Sequence, residues 1–512
     1  MLNIITRAVK YIVVLVSSHI PYCNQPAPSA TIAIDTVSAI TVPKLDPGDT
    51  SRFVNIEIDM QKAQHPSFAF TDLPYDKTKG MMLMKDDALR SDYTFVFKIL
   101  SGGTVNGKRY PGFTFTDGAG KEIGYKYSFA INPNEGHTTD INNVSSWAQI
   151  NEMIAKGHGF MNHSFFHGGT DKLKAIKDAE KNMWRHTHYR MTEIAPPGND
   201  EGYVESGLAL GYHMIASEFG EPVPDGNNSP GNENMSWGSY IPMTTQNFKK
   251  VLISRTNLGD QWNREELKNA KDFIDYVFTN PNKDKKLIGA AFSHGPFGDK
   301  KEQADVFFEF INYIKNHPEN HDSAWITSSK DLMDYVGTKA EIVIASQHYD
   351  AKTGKFKIVL DMKKVNPNIT NRNLSLKVQG GEIVGVKAQG AKEVTFNSKT
   401  GLINIYKTDR SKVVDPFKEA LPPQIVSTTA SGKTLTITYD KPVAQSKAEG
   451  YEVTENKVLG LKGNGKIWQL TLERPVTKSQ LFYYRIQRGD ARQANQSTLR
   501  VCTYAGSPIK VI

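Results

Sequence analysis

"SSWAQINEMIAKGHGFMNHSFFH", residues Ser145–His167, holds two periodicities in one short stretch. Trp147, Ile150 and Ile154 recur at helical spacing behind a serine that can cap the first turn, and Gly157 is a natural stop. The apolar run "GFMN" follows at strand length, and two histidines, His163 and His167, come after it. A helix feeding a buried strand that ends in polar side chains is the repeating unit of an α/β domain. The same alternation extends outward from about Gly80 to Val336. Strand-like runs ("GMMLMK", "YKYSFAIN", "LIGAAFSH", "SAWITSS") are interleaved with amphipathic stretches ("DKLKAIKDAEKNMW", "EQADVFFEFINYIKNH"). This predicts a parallel, barrel-like α/β arrangement over residues 80–338, with reactive residues where strands end and loops begin.

The flanks read differently. Residues 31–79 contain short alternating runs ("ATIAID", "RFVNIEID") and turn residues, expected as strands leading into the larger domain. After about residue 340 the helical spacing stops. Alternating strands with Gly, Asn and Pro turns predict an all-β region of Ig-like sandwich modules, 340–419 and 420–512, divided near "FKEALPPQIV" at Pro422-Pro423. In residues 1–23, Arg7 and Lys10 precede the apolar run Tyr11–Val16, the shape of a secretory signal and too short to span a bilayer. Export is the expectation: a periplasmic, cell-surface or secreted protein of a bacterium. Cys23 stands where a lipid anchor to the membrane would attach, although Ile20-Pro21-Tyr22 departs from the small residues a lipoprotein site prefers. The other cysteine is Cys502, so disulfides are not expected to hold the fold.

With 39% hydrophobic and 23% charged residues, the chain has the composition of a folded globular protein. Its net charge of +8 is unevenly spread: residues 341–512 carry 27 Lys+Arg against 14 Asp+Glu. The lysines are scattered rather than clustered, which favours a solvated β surface and argues against a nucleic-acid site.

His163 and His167 stand at i and i+4, so on a helical turn both imidazoles share one face and suit a divalent cation. Ser164 occupies the position of the catalytic Glu in HExxH, which excludes that type of metallopeptidase. Asp86 and Asp87, in "MMLMKDDALRSD", directly follow an apolar strand. One carboxylate would complete a two-His, one-Asp site with a position left for water, and its neighbour would remove that water's proton. A hydrolase of this kind also needs an acid, and His294 ends the apolar run Leu287–Phe292 in a Gly-rich loop.

Together these residues resemble the polysaccharide deacetylases of the NodB-homology type (carbohydrate esterase family 4). "MKDDAL" looks like that family's first motif, implying Asp86 as base and Asp87 as metal ligand. His163-Ser164-Phe165-Phe166-His167 matches the second, and "GAAFSH" matches the final strand that ends in the catalytic histidine. The resemblance covers about residues 80–336. It implies a distorted (β/α) barrel, an acetylated glycan as partner, and hydrolytic removal of its acetyl groups. The ligand set implies zinc first, with cobalt or nickel also accepted. A backbone N–H near Pro197-Gly198 is expected at the oxyanion, and Trp237 is a candidate for stacking on a sugar.

Two elements of the family pattern are out of register. The arginine that orients the base normally precedes a proline, but "EIAPPGND" offers Ala195, Pro196 and Pro197 there. The acidic group that supports the catalytic histidine has Asp225 as its nearest candidate. Residues 101–124 look like an insertion that shapes the substrate cleft. The missing arginine favours an alternative function, a catalytically weak or inactive deacetylase-like scaffold acting as a surface glycan-binding protein. Intact Asp86, Asp87, His163, His167 and His294 favour the enzyme. His158, His186 and His188 are taken as structural, and Trp147 and Trp184 as core.

Overall fold

The computed structural model describes residues 52–87, 89–217, 239–242, 252–279, 287–298, 300–410, 412–486, 488–494 and 496–512. The expected export signal, Cys23, Asp225 and Trp237 lie outside them.

Among the described residues, ten strands form the central sheet. In chain order they are β1 (Lys79–Lys85), β2 (Ser128–Ile131), β3 (Gly159–Asn162), β4 (Glu193–Ile194), β5 (Met214–Ser217), β6 (Ser239–Pro242), β7 (Leu252–Ser254), β8 (Thr256–Asn257), β9 (Leu287–Ser293) and β10 (Ala324–Thr327). Of the described helices, the six longer α-helices that cover it are α1 (Trp147–Ala155), α2 (Lys172–Thr187), α3 (Glu201–Leu210), α4 (Arg264–Thr279), α5 (Lys301–Asn316) and α6 (Ser329–Glu341). Met81, Met82, Leu83 and Met84 of β1 are all fully buried, as a strand with helices on one face and a packed barrel interior on the other requires. The N-terminus of α1 is a capping box: Ser146 accepts from the Gln149 N–H, and the Gln149 side chain accepts from the Ser146 N–H at 2.8 Å.

Pairing is parallel from β1 through β2, β3, β4 and β5 to β7, and again from β8 to β9 and from β9 to β1. Since β7 and β8 are separated by Arg255 alone, the sheet curls until its two ends meet through that residue. The α/β barrel followed by antiparallel β-sheets is therefore the architecture found. It is distorted in two places. β10 pairs with the first half of β1 while β2 pairs with its last two residues, and β6 runs antiparallel along the first half of β9.

The chain divides differently from its linear pattern. Strand Phe53–Gln61 lies between Lys355–Asp361 and Glu382–Gln389 in one four-stranded sheet, and Ser67–Phe70 pairs with Leu374–Gln379 in a second. Val54, Ile56 and Ile58 share one core with Ile358, Leu360, Leu376 and Ile403. Residues expected to lead into the barrel therefore complete a sandwich with strands some 300 positions later, because alternate burial along Phe53–Gln61 needs a partner sheet that local sequence does not supply.

The insertion at 101–124 has two parts, placed differently. It forms two small hairpins, and Thr116 bonds to Asp322, just before β10 begins. Asp117 accepts from Thr395 and Tyr406 of the sandwich at 2.5 and 2.8 Å. The second hairpin thus lies at the N-terminal ends of the strands and ties barrel to sandwich, because the buried Asp117 carboxylate needs those hydroxyls. The first hairpin lies elsewhere: Lys108 and Tyr110 both bond to Asp305 near the start of α5, the helix that follows β9.

The C-terminal sheets, from Ile425 onward, share a second core with Ile176 of α2 and with Tyr203 and Leu208 of α3. Apolar packing therefore joins the last module directly to the barrel wall. No described helix is long and apolar enough to cross a membrane.

Candidate metal and acid–base site

The candidate site residues gather at the C-terminal ends of β1, β3 and β9. Asp86 leaves β1 with its N–H bonded to the Ser293 carbonyl at 3.1 Å, which sets the ends of β1 and β9 side by side. Asp87 then turns with φ of 79°. The two histidines do not sit on a helical turn as their spacing suggested. Residues 163–167 form an irregular turn in which Ser164 and His167 take φ of 63° and 48°. Positive φ in non-glycine residues is costly and persists only where surrounding bonds impose it. Here Asn162 Oδ1 accepts the Ser164 N–H at 2.8 Å, Asn132 donates to the His163 and Ser164 carbonyls, and Asn134 donates to Phe165. The result still brings the imidazole centres to 4.8 Å.

Asp87, His163 and His167 each offer one ligand atom, all within 4.8 Å of one another. The Nδ1–H of His163 donates to the Ala195 carbonyl at 2.7 Å, which leaves its Nε2 as a lone pair. That Nε2 is buried, makes no hydrogen bond, and faces Asp87 Oδ1 at 3.4 Å. His167 Nε2 approaches the same oxygen at 3.4 Å. Lone pairs converging on one point repel unless a cation or proton lies between them, so the donor set fits a divalent metal. Burial alone would raise the Asp87 carboxyl, but His163, His294 and His167 pull it down to about 2.

Asp86 is 2% exposed and held by Arg255 through two hydrogen bonds, Nη1 to Oδ1 at 2.8 Å and Nη2 to Oδ2 at 2.6 Å. The supporting arginine absent from "EIAPPGND" is therefore present, supplied by the residue that closes the barrel. The guanidinium also lies over the Phe292 ring at 4.0 Å. Burial pushes the Asp86 carboxyl up, and Arg255, His163 and His294 outweigh it, holding the group below the usual carboxylate range. "ISRTNLGD" carries no spacing that marks Arg255; its signal is a lone arginine between two short strands, a residue seldom buried without a partner.

His294 is paired with Asp260. Asp260 Oδ1 accepts from His294 Nδ1 at 3.0 Å and from the His294 N–H at 2.9 Å. That bond and the nearby carboxylates raise the imidazole pKa above its ordinary value, against burial. Asp260 follows β8, which pairs with β9 two residues before His294. Trp262, 1% exposed, donates from Nε1 to Ser293 Oγ at 3.3 Å and anchors this turn. An acid two positions before a tryptophan, in "GDQWN", was the available signal, and Asp260 fills the place for which Asp225 had been the candidate.

Ala195 ends β4 beside His163, so the Pro196–Asn199 turn starts next to the ligand cluster. Pro197 is buried, whereas Gly198, with φ of 58°, faces open space. Sequence reasoning missed two exposed aromatics that adjoin these residues along the chain. Phe166, between the histidines, is 71% exposed, and Phe297, three residues after His294, is 38% exposed. Ser164 is buried in the turn and is no surface nucleophile. His158 is also buried; desolvation drives its pKa down to about 3, and its Nδ1 accepts the Tyr127 N–H. Trp147 is half-buried and stacks on His186 at 4.3 Å, an arrangement of packing rather than chemistry.

No family model and no curated protein matches the sequence. Among solved structures, the chain is similar to the Streptococcus pyogenes deacetylase PplD in complex with acetate (12% identity, 34% of this chain and 62% of that one, TM-score 0.23). It is also similar to the peptidoglycan deacetylase PdaC from Bacillus subtilis (13%, 52% and 96%, TM-score 0.27). A third is the chitin deacetylase from the fungal pathogen Colletotrichum lindemuthianum (14%, 47% and 83%, TM-score 0.27). Likenesses this distant leave the chemistry of the site to its own side chains.

Proposed function

We propose that this protein is a metal-dependent hydrolase that removes acetyl groups from an acetylated polysaccharide or amino-sugar glycan. The observation that carries the reading is the pair of oppositely tuned groups flanking one ligand cluster: Asp86 gripped by Arg255, which favours its ionised form, and His294 bonded to Asp260, which favours its protonated form. An acid and a base whose environments push them apart is the arrangement hydrolysis requires.

Asp87, His163 and His167 would hold the cation, with zinc as the first expectation and cobalt or nickel as acceptable substitutes. When bound, that ion supplies Lewis acidity, polarising the acetyl carbonyl and lowering the pKa of water. Asp86 accepts a proton from the attacking water as the new C–O bond forms at the acetyl carbon. Arg255 keeps that carboxylate in place, with both oxygens fixed. Negative charge developing on the carbonyl oxygen is met by the Gly198 N–H; Pro197 has none to give. His294, with Nδ1 engaged by Asp260, donates a proton from Nε2 to the departing sugar nitrogen or oxygen as the old bond breaks and acetate leaves. Phe166 and Phe297 offer apolar faces on which a pyranose ring can rest.

The charged N-terminal segment with its apolar run supports export from a bacterial cell, where such glycans are found, and a lipid on Cys23 would then anchor the protein. The scaffold-only alternative rested on a missing arginine, and Arg255 removes that ground.

The test is acetate release from a panel of N- and O-acetylated glycans, with metal stripped and then restored, alongside Asp86→Asn. Release that needs metal and disappears in Asp86→Asn is the expected result, and the active substrates name the glycan. Glycan binding with one metal per chain and no acetate released from any member would replace the enzyme with a binding scaffold.

A further inference from the structure

A buried polar chain runs from the linker before the last module to the metal-ligand turn. Glu419, in "FKEALPPQIV", accepts from Arg190 Nη2 at 2.8 and 2.9 Å and from Lys177 Nζ at 2.6 Å. Lys177 also donates to Glu180 Oε2 at 2.5 Å. The other Glu180 oxygen receives the Tyr212 O–H at 2.7 Å, and Tyr212 Oη receives Asn162 Nδ2 at 2.8 Å. Asn162 Oδ1 then holds the Ser164 N–H at 2.8 Å.

Each link has one permitted direction. Ionised Glu180 can only accept, so Tyr212 must donate to it and has lone pairs left for Asn162. Asn162 turns its NH₂ toward both Tyr212 Oη and the Ile176 carbonyl, the latter at 3.0 Å, and its oxygen toward Ser164. Tyr212 thus supplies one of the two acceptors that fix the amide. Reversed, the amide would set an NH₂ against the Ser164 N–H and release the turn that places His163 and His167. The charges also balance: Lys177 and Arg190 against Glu180 and Glu419, all nearly buried. Without Glu419 the cluster keeps an unmatched positive charge, and Arg190 and Lys177 compete for Glu180.

We propose that Tyr212 and Glu180 are positioning residues for the metal-ligand turn, and that Glu419, supplied by the inter-module linker, completes the support. The link to the cation rests on the metal site proposed above, whereas the link to the turn does not.

Two readouts on the full-length, metal-stripped protein test it: zinc Kd by chelator competition well below the melting temperature, and amide hydrogen exchange at Ser164. Tyr212→Phe keeps the ring and loses only the hydroxyl. Zinc Kd should rise at least about 10-fold, as for other groups that orient ligands, and Ser164 exchange should quicken about 10-fold. Glu419→Gln should move both in the same direction, and Glu419→Asp should restore them in part. A fall in melting temperature with both readouts within twofold of wild type would overturn the proposal, since that is what a purely structural role predicts. Wild-type protein that binds no zinc would sink the metal reading, and Ser164 exchange would still decide whether the chain holds the turn.

Discussion

Arg255→Gln removes the guanidinium that grips Asp86 inside the barrel. Both side chains are 2% exposed, and the guanidinium donates to both carboxylate oxygens. Breaking such a pair by deleting one partner costs about 3–5 kcal/mol, because the remaining charge is left buried and unmatched. His163 and His294 also draw on Asp86, so the lower end, about 3 kcal/mol, is expected. The sign with pH follows. In the wild type the Asp86 pKa is depressed, so its stabilisation is full above the ordinary carboxylate pKa and is lost as pH falls through the folded value. In Arg255→Gln burial prevails and the pKa rises, so the deficit is greatest at neutral pH and shrinks on acidification. The assay is urea unfolding with chelator present, at neutral and mildly acidic pH, for Arg255→Gln, Asp86→Asn and the double variant. The double variant should lose less than Arg255→Gln alone, since no charge is stranded. Acetate release by Arg255→Gln should fall, and the acid limb of its pH profile should move up. Equal stability of wild type and Arg255→Gln, or strictly additive losses in the double variant, would refute the argument.

Asp260→Asn should move the basic limb of the acetate-release profile to lower pH, because the Asp260 bond that raises the His294 pKa is the leading contribution removed; an unmoved limb would show that His294 is not the acid. Asp87→Ala and His163→Ala should each abolish tight binding of one zinc per chain in equilibrium dialysis, whereas His158→Gln should leave that stoichiometry intact. Phe166→Ala should raise KM for a glycan oligomer about 3–10-fold with kcat little changed, since stacking on an exposed ring contributes about 1 kcal/mol. An unchanged KM would mean that sugar does not rest there.

Much of the barrel was legible in one dimension because its signals are local. "GMMLMK" and "LIGAAFS" read as buried strands by their unbroken apolar runs, and the Ser146 cap and Gly157 stop framed α1. The i,i+4 pair His163/His167 was legible as a metal motif, although its helical rationale was not what the chain uses. Strand Phe53–Gln61 shows the limit. Its alternation marked a strand, but nothing in it pointed to Lys355–Asp361 as its neighbour.

By itself, then, the sequence marked the residues that the fold brings together: two aspartates at one strand end, two histidines at another and His294 at a third, each marked by its position after an apolar run. Only the tertiary structure decided what tunes them. Arg255 lies 169 positions from Asp86, Asp260 lies 34 from His294, and Glu419 lies 242 from Lys177. A charge partner needs only to arrive within hydrogen-bond distance of its mate. Unlike a helix face or a strand, that requirement imposes no period on the sequence between them, so closure of the barrel and docking of the linker are what bring each pair together.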